Sequence, residues 1–498
     1  MNFLTVFLFI SLPIILLFLL NKHRTRQSVC WPPGPTGLPL IGNLHQFYNP
    51  NPPSYLWNLS KQYGALMSLR LGFVPTLVVS SARMAKEIMK THDLRFCSRP
   101  VFTSQKKLTY NCLDLAFAPY NDYWREMRKI CTIHLFSSVK VQHFRPIRED
   151  EVFGMIDKIS KLAVASKPVN LSDILISVAN NITCRVAFGK RYEDEATERS
   201  RFHGLLNETQ AMLGCFFFSD YFPFMSWVDK LTGMTSRLER NFQEFDAFLQ
   251  ELIEERLDPK NSKTEEDIMD VLLQLQKQRE FKIELALDHV KGVLMDVVIG
   301  GTDTGAATVI WAMTYLMKNP RVMKRAQEEV RQVVKNKDSI LHENDVQRLQ
   351  YLKAVVKESM RLQPTAPLLV PRETIEKCTV AGYEIPFKTV VYVNAWAIGR
   401  DPEAWDNAEE FDPDRFMGSS IDLKGQNYEL IPFGAGRRMC PGMFMGLAIV
   451  ELTLANLLWK FDWEMPAGME KEDLDFDVLP GVTMHKKNVL WLMASNVQ

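Results

Sequence analysis

Hydrophobic and polar positions along this chain recur mostly at helical spacing. Between residues 236 and 257, Leu238, Phe242, Phe245, Phe248, Leu249 and Leu252 share one face while Arg, Glu and Gln fill the others, which predicts an amphipathic helix. A second such pattern, PRVMKRAQEEVRQVV, opens at Pro320, a residue suited to the first turn because no intrahelical bond needs its N–H there. Strand-like runs are fewer: TLVVS at 76–80 and TVVYVNAWA at 389–397. Polar stretches at 258–267 and 418–426, the second with two glycines, read as surface loops. The expected fold is mainly α with small β-sheets. A length of 498 residues suggests two or more domains, but no repeat, low-complexity run or linker divides the chain, so one large domain is expected.

Two apolar runs stand out. Phe3 to Leu20 is nearly continuous hydrophobe, long enough to cross a bilayer with some thinning or snorkelling. A cleaved signal peptide is the competing reading, but no basic residue precedes the run and no small-residue cleavage site follows it. Residues 1–21 are therefore read as a membrane anchor, and Lys22, Arg24 and Arg26 put everything beyond it in the cytosol. The N-x-S/T sequons at Asn58, Asn170, Asn181 and Asn207 are then unused. Residues 22–36 form a basic flank and Pro-rich hinge in which Pro32, Pro33 and Pro35 keep the chain extended; an ordinary Pro-rich loop predicts the same conformation. The second run, 293–317, contains Asp296 and Asp303, carboxyl groups costly in lipid and tolerable beside a cavity. It is expected to be a long buried helix. Gly300 and Gly301 leave room for a bulky neighbour, with Asp303 and Thr304 at the same level; a kinked core helix with a polar patch has the same sequence.

Charge and cysteine content remove whole classes of function. Lys+Arg and Asp+Glu both total 59, so no net basic charge holds a nucleic acid, and none is expected as partner. The eight cysteines lack the spacing of a disulfide framework or paired zinc ligands, which suits a reducing compartment.

One cysteine has a distinctive setting. Cys440 lies in PFGAGRRMCPG, 432–442, immediately before the apolar helical stretch MFMGLAIVELTLANLLWKF. A lone cysteine is usually a buried structural thiol, and zinc needs further Cys or His ligands absent nearby. Gly434, Gly436 and Gly442 allow close approach of backbone to a flat group, and amides at the helix start can stabilise a thiolate. Such a thiolate suits the axial position of haem iron, with Arg438 placed to neutralise a propionate.

Phe433, Gly436, Arg438, Cys440 and Gly442 resemble the F-x-x-G-x-R-x-C-x-G loop of the cytochrome P450 monooxygenases. Four further segments are similar to that family: Gly300 to Thr304 to its oxygen-activating helix motif, Glu358 and Arg361 to its E-x-x-R, FDPDRF with Arg415 to the segment completing that ion-pair cluster, and Trp124 with Arg128 to its W-x-x-x-R pair. Taken singly, Glu358 and Arg361 would be an exposed helical pair and Trp124 core packing; their joint occurrence in the family's order favours the functional reading. The resemblance spans essentially the whole chain, and its closest flavour is the plant microsomal A-type clan (clan 71-like). Gln363 and Thr365 stand where His and Pro are more usual.

This resemblance implies a cytochrome P450 fold with an N-terminal transmembrane helix, the catalytic domain running from 37 to 498. It implies haem b (iron protoporphyrin IX, axial thiolate) with Cys440 as metal ligand and Trp124, Arg128, Arg372, Phe433, Arg438 and Gly442 as cofactor-binding residues. Asp303 and Thr304 are implied as catalytic, handling proton delivery to reduced dioxygen, and Glu358, Arg361 and Arg415 as a structural ion-pair cluster. The expected function is a haem-thiolate monooxygenase that inserts one atom of dioxygen into a small hydrophobic plant specialised metabolite: a terpenoid, alkaloid, phenolic or aldoxime. Electrons are expected from NADPH through NADPH-cytochrome P450 reductase, at the endoplasmic reticulum membrane, single-pass, catalytic domain cytosolic. By family placement the pocket draws on 102–117, 211–218, Val297, Gly301, 366–370 and 482–484. A haem-thiolate isomerase or dehydratase working without dioxygen, and a haem sensor or electron-transfer protein, remain alternatives; the retained acid and alcohol favour the monooxygenase.

Overall fold

The computed structural model describes residues 30–192, 196–258, 260, 266–278, 281–333, 340–479 and 481–497. The expected anchor and the first part of its basic flank lie outside the described residues, as does most of the loop expected at 258–267. The helices that build the body around the site are α1 (Asp122–His134), α2 (Arg145–Val164), α3 (Leu171–Phe188), α4 (Met234–Leu257), α5 (Leu287–Thr302), α6 (Thr304–Lys318), α7 (Pro320–Val333), α8 (Gln350–Leu362) and α9 (Met443–Lys460). Strands are short. Four of them, β1 (Leu66–Leu71), β2 (Val74–Val79), β4 (Arg372–Glu373) and β7 (Val390–Val393), make one sheet in the order β1-β2-β7-β4, parallel only between β2 and β7. The others are β3 (Val169–Asn170), β5 (Cys378–Val380), β6 (Tyr383–Ile385), β8 (Phe461–Glu464), β9 (Val478–Leu479), β10 (His485–Lys486) and β11 (Trp491–Asn496), grouped as β3-β11-β8, β5-β6 and β9-β10. The mainly α architecture with small sheets is as the periodicity predicts.

The amphipathic face of α4 buries Leu238, Phe245, Phe248, Leu249 and Leu252, and α7 begins at Pro320. The long apolar stretch forms two mostly buried helices, α5 and α6, which meet at Asp303 (φ −105°). They pack against α3, while α6 also packs against α8 and α9. A membrane span is excluded for this stretch by its place in the core. TVVYVNAWA is strand only in its first half: Asn394 takes the N–H of Ala397 through its side chain and starts the short helix Ala395–Ile398.

The Pro-rich hinge is docked along its C-terminal part. Pro32 O accepts from Ser68 Oγ at 2.6 Å and Pro33 O from Ser68 N at 2.9 Å, while Cys30 O accepts from Glu384 N. Only glycine fits at 34, because a Cβ there would lie 1.9 Å from Ser68 O. The body therefore includes residues 30–36, which the sequence assigned to the hinge. Asn181 is buried on α3 and donates to Glu151 at 3.1 Å, so its sequon is inaccessible to glycosylation.

Candidate active site

A cavity of about 350 Å³ lies between the α5–α6 junction and the loop 432–442, with further walls from α1, α3 and the segment 365–372. Its lining is largely apolar, as ligand-sized cavities are. Gly300 faces open space within it, since a Cβ there would meet nothing within 4 Å, whereas Gly301 sits so close to α3 that a Cβ would come within 2.7 Å of Thr183 Oγ1. The two glycines thus do different things: one widens the cavity and the other brings two helices together.

The loop places Cys440 in the cavity wall. Gly434 and Gly436 adopt φ of +69° and +67°, and at Gly436 a Cβ would approach Met89 O to 2.4 Å, so glycine is required there sterically as well as conformationally. Gly442 differs: its φ is −85° and a Cβ would touch nothing closer than 4.0 Å. What position 442 contributes is its N–H, which bonds the Cys440 sulfur. Cys440 has accessible surface yet lies deep within the protein, because that surface opens onto the cavity. Burial pushes its thiol up; the Gly442 N–H and the Arg128 guanidinium pull it down.

Arg99, Arg128, Arg372 and Arg438 all reach this cavity. Arg438 donates to Cys97 O at 2.7 Å and Ala118 O at 2.6 Å and stacks on Trp124, 3.9 Å from the ring centre. Arg128 donates to Met439 O at 2.7 Å. Arg372 pairs with Asp93 at 3.0 Å and donates to Ala435 O. Arg99 donates to Ala116 O, Val370 O and Pro371 O at 3.0, 2.5 and 2.8 Å. Burial lowers the Arg438 guanidinium to about 9, with Arg372 and Arg128 adding repulsion. Arg99 is pushed well down by burial and then by Arg438 and Arg372. Four largely buried cations around one cavity outnumber the carboxylates beside them, Asp93 at Arg372 and Asp114 near Arg99 and Arg438, and leave a net positive site. A thiol on one wall, apolar faces and a cluster of guanidinium groups fit haem b with its iron and two carboxylates.

The other expected site residues divide. Phe433 and Thr304 are in the wall, Thr304 Oγ1 donating to Gly300 O at 2.9 Å. Trp124 is also there, but its indole N–H is committed to Leu115 O at 3.0 Å, so its part in a propionate pair is to support Arg438 by stacking. Asp303 is not among the lining residues; its carboxylate turns toward His485 of β10, 3.4 Å away. Glu358, Arg361 and Arg415 lie away from the cavity and bond one another, as a structural cluster does. Of the expected pocket segments, 211–218 and 482–484 do not reach the wall. Met212, Leu213 and Phe217 pack with Leu108, Phe117 and Leu238 in an apolar cluster behind Ala116 and Val370 of the wall, and Met484 N bonds Thr365 O. Thr365, a departure from the family's usual residue, is in the wall. Arg99 was missed by sequence reasoning; its one signal is a lone charge among Phe96, Cys97, Pro100, Val101 and Phe102.

A haem-thiolate protein is what this fold and cavity define. The cytochrome P450 family profile matches residues 32–493. The chain is 47% identical to strychnine-11-hydroxylase of Strychnos nux-vomica, over 99% of this chain and 98% of that one. It is 49% identical to 6,7,8-trihydroxycoumarin synthase of Pastinaca sativa, over 98% and 97%. A zebra fish cytochrome P450 solved with progesterone superimposes with a TM-score of 0.76 at 26% identity, covering 90% of this chain and all of the other. The chain belongs to the cytochrome P450 family and is a cytochrome P450 monooxygenase with haem b as cofactor, of the clan 71-like plant group.

Proposed function

We propose that this enzyme hydroxylates a rigid, ring-based plant specialised metabolite, an alkaloid or a coumarin-like phenolic, using electrons from NADPH delivered by a membrane-bound reductase. The observation that carries the reading is the single cavity shared by Cys440, the guanidinium cluster and Thr304. The relatives' names, for a strychnine hydroxylase and a trihydroxycoumarin synthase, support the substrate class, and the largely apolar wall suits such molecules. When bound, haem supplies the dioxygen activation that puts one oxygen atom into substrate and the other into water.

The chain's own groups have the following parts. Cys440 is the iron ligand, its negative charge favoured by the Gly442 N–H and by Arg128. Arg99, Arg372 and Arg438 neutralise the cofactor's carboxylates, and Trp124 holds Arg438 in place. Thr304 Oγ1 holds water for proton delivery at the cavity, and Asp303, held by His485, is the acid one residue behind it. Residues 1–21 anchor the domain to the endoplasmic reticulum membrane with the catalytic body in the cytosol. Deleting residues 2–26 is expected to preserve the haem spectrum while weakening membrane association in a flotation assay; loss of the spectrum would make the segment structural.

The test of the chemistry uses membranes holding enzyme and reductase, with NADPH, hydrogen peroxide and product measured together on alkaloid and coumarin panels. Thr304→Ala is expected to keep consuming NADPH while releasing more peroxide and less product per NADPH. Asp303→Asn is expected to slow turnover more than binding, toward the ~10²–10⁴-fold contributed by a positioned proton donor. Haem content and activity falling in parallel at constant product per NADPH would mean that both residues act through stability. Product formed without dioxygen would sink the monooxygenase reading in favour of an isomerase.

A further inference from the structure

Two buried carboxyl groups at the cavity's edge have no part in the chemistry above. Asp296 projects from α5 and accepts, through Oδ2 alone, the N–H groups of Leu115 at 2.7 Å and Ala116 at 3.1 Å. Its side chain also hydrogen-bonds that of Asp114, which is fully buried and accepts the N–H of Phe117 through Oδ2 at 2.7 Å. Asp114 Oδ1 is buried without any conventional donor. Two carboxylates in contact out of water cannot both be ionised, so one proton lies between them. The surroundings say which group carries it: Arg438 and Arg99 face Asp114 and favour its charge, so the proton belongs to Asp296, on the oxygen that the loop amides leave free.

The segment they hold is under strain and under load. Tyr110, Asn111 and Cys112 adopt φ of 52°, 60° and 64°, a run of left-handed conformations unfavourable for L residues other than glycine. Just beyond it, Leu115 O accepts from the Trp124 indole, Ala116 O from Arg99 and Ala118 O from Arg438. The stretch 114–118 is thus fastened by its N–H groups to the acid pair and by its carbonyls to the cofactor-side cations. We propose that Asp296 works as a neutral carboxylic acid, donating to the Asp114 carboxylate and holding the loop amides through its other oxygen, so that Asp114 and Asp296 position the cavity wall at Leu115 and Ala116.

Burial raises Asp296 well above the ordinary carboxylate range, followed by the charge of Asp114, whereas Asp114 is pushed up to about 6. The groups facing the pair are Arg438 from the cysteine loop, Arg99 and Cys112 from the chain before Asp114, and Tyr123 and Cys131 from α1. Because the folded-state pKa of Asp296 lies above its unfolded value, the stability of this arrangement is fully present below the unfolded value. It is lost as pH rises through the folded one.

The roles are unequal, and that makes them testable. Asparagine at 296 reproduces the neutral acid, with an NH₂ to donate to Asp114 and a carbonyl to accept both amides. Asparagine at 114 has one acceptor where two donors need one. In the full-length haem enzyme, with 4-phenylimidazole as spectral probe, Asp296→Ala is expected to weaken binding about tenfold or more, the equivalent of an unmet buried amide. Asp114→Asn is expected to be impaired, while Asp296→Asn returns to within roughly threefold of the parent. Across about pH 6 to 9, where buried carboxyls titrate, probe binding by the parent is expected to weaken as pH rises and that of Asp296→Asn to stay level. Infrared difference spectra of parent minus Asp296→Asn are expected to contain the C=O stretch of a protonated carboxyl at neutral pH. This readout stands even if Asp296→Ala does not fold. Absence of that band, or Asp296→Asn binding as poorly as Asp114→Asn, overturns the proposal.

Discussion

Replacing Cys440 with alanine is expected to abolish the thiolate-type carbon monoxide spectrum and all turnover. The cavity offers one other thiol, Cys131 of α1, so its capacity to substitute has to be weighed. Burial pushes Cys131 up to about 12. At Cys440 burial acts in the same direction, but the Gly442 N–H and Arg128 oppose it. Cys131 therefore stays a protonated thiol, a poor ligand for iron. Cys440→His is expected to restore bound pigment without the thiolate-type band, since imidazole is a competent haem ligand. Reduced carbon monoxide difference spectra, read alongside total haem by extraction, separate loss of the ligand from loss of the cofactor. A normal thiolate spectrum in Cys440→Ala, or its disappearance in Cys131→Ala with haem retained, would assign the ligand to the wrong cysteine.

Much of this site was legible because its parts are local in sequence. The glycines, Arg438 and Cys440 fall within a few residues, so their spacing carries the geometry directly, and the positive φ at Gly434 and Gly436 is what such glycines are for. The apolar faces of α4, α5 and α6 were likewise readable, because helical period and burial coincide. The parts that escaped are made by distant segments. Arg99 joins the guanidinium cluster only once the chain from 93 to 118 has folded against the cysteine loop. Asp303 and Thr304 are neighbours in sequence, but the interruption at Asp303 sends one side chain toward His485 and leaves the other in the cavity wall. Asp114 and Asp296 each look like a stray charge in an apolar run; that they meet at the loop 114–117 is visible only in the tertiary structure. Segment 211–218 shows the converse, since its aromatic and aliphatic residues suited a pocket wall equally well and went into packing with Phe117 and Leu238.

Glu358→Gln is expected to be among the most destabilising single changes in this protein, although the residue is remote from the cavity. Glu358 and Arg361 are fully buried and bond through two parallel contacts of 2.7 Å, and Arg415 adds a third at 3.1 Å. Asp412 N also donates to Glu358, at 2.8 Å. Arg361 in turn donates to the carbonyls of Gly399, Ala408 and Glu410, so α8 is tied through one guanidinium to three points of the segment before the cysteine loop. Position 399 must be glycine for this approach, because a Cβ would lie 2.1 Å from Arg361 O. Removing the carboxylate charge leaves two largely buried guanidinium groups facing neutral atoms. Breaking one partner of such a pair costs about 3–5 kcal/mol, a large part of the ~5–15 kcal/mol by which folded proteins exceed their unfolded states. Glu376→Gln is the matched control, since its 2.8 Å pair with Arg95 has side chains about half exposed, and a surface pair contributes about 0–1 kcal/mol. Haem content after expression and the thermal midpoint of the holoenzyme are the measurements. Glu358→Gln is expected to retain little haem and to unfold many degrees earlier than Glu376→Gln, because α8 packs on α6 and α9, which supply two walls of the cofactor cavity. Equal midpoints for the two variants would show that the buried cluster does not hold this part of the fold together.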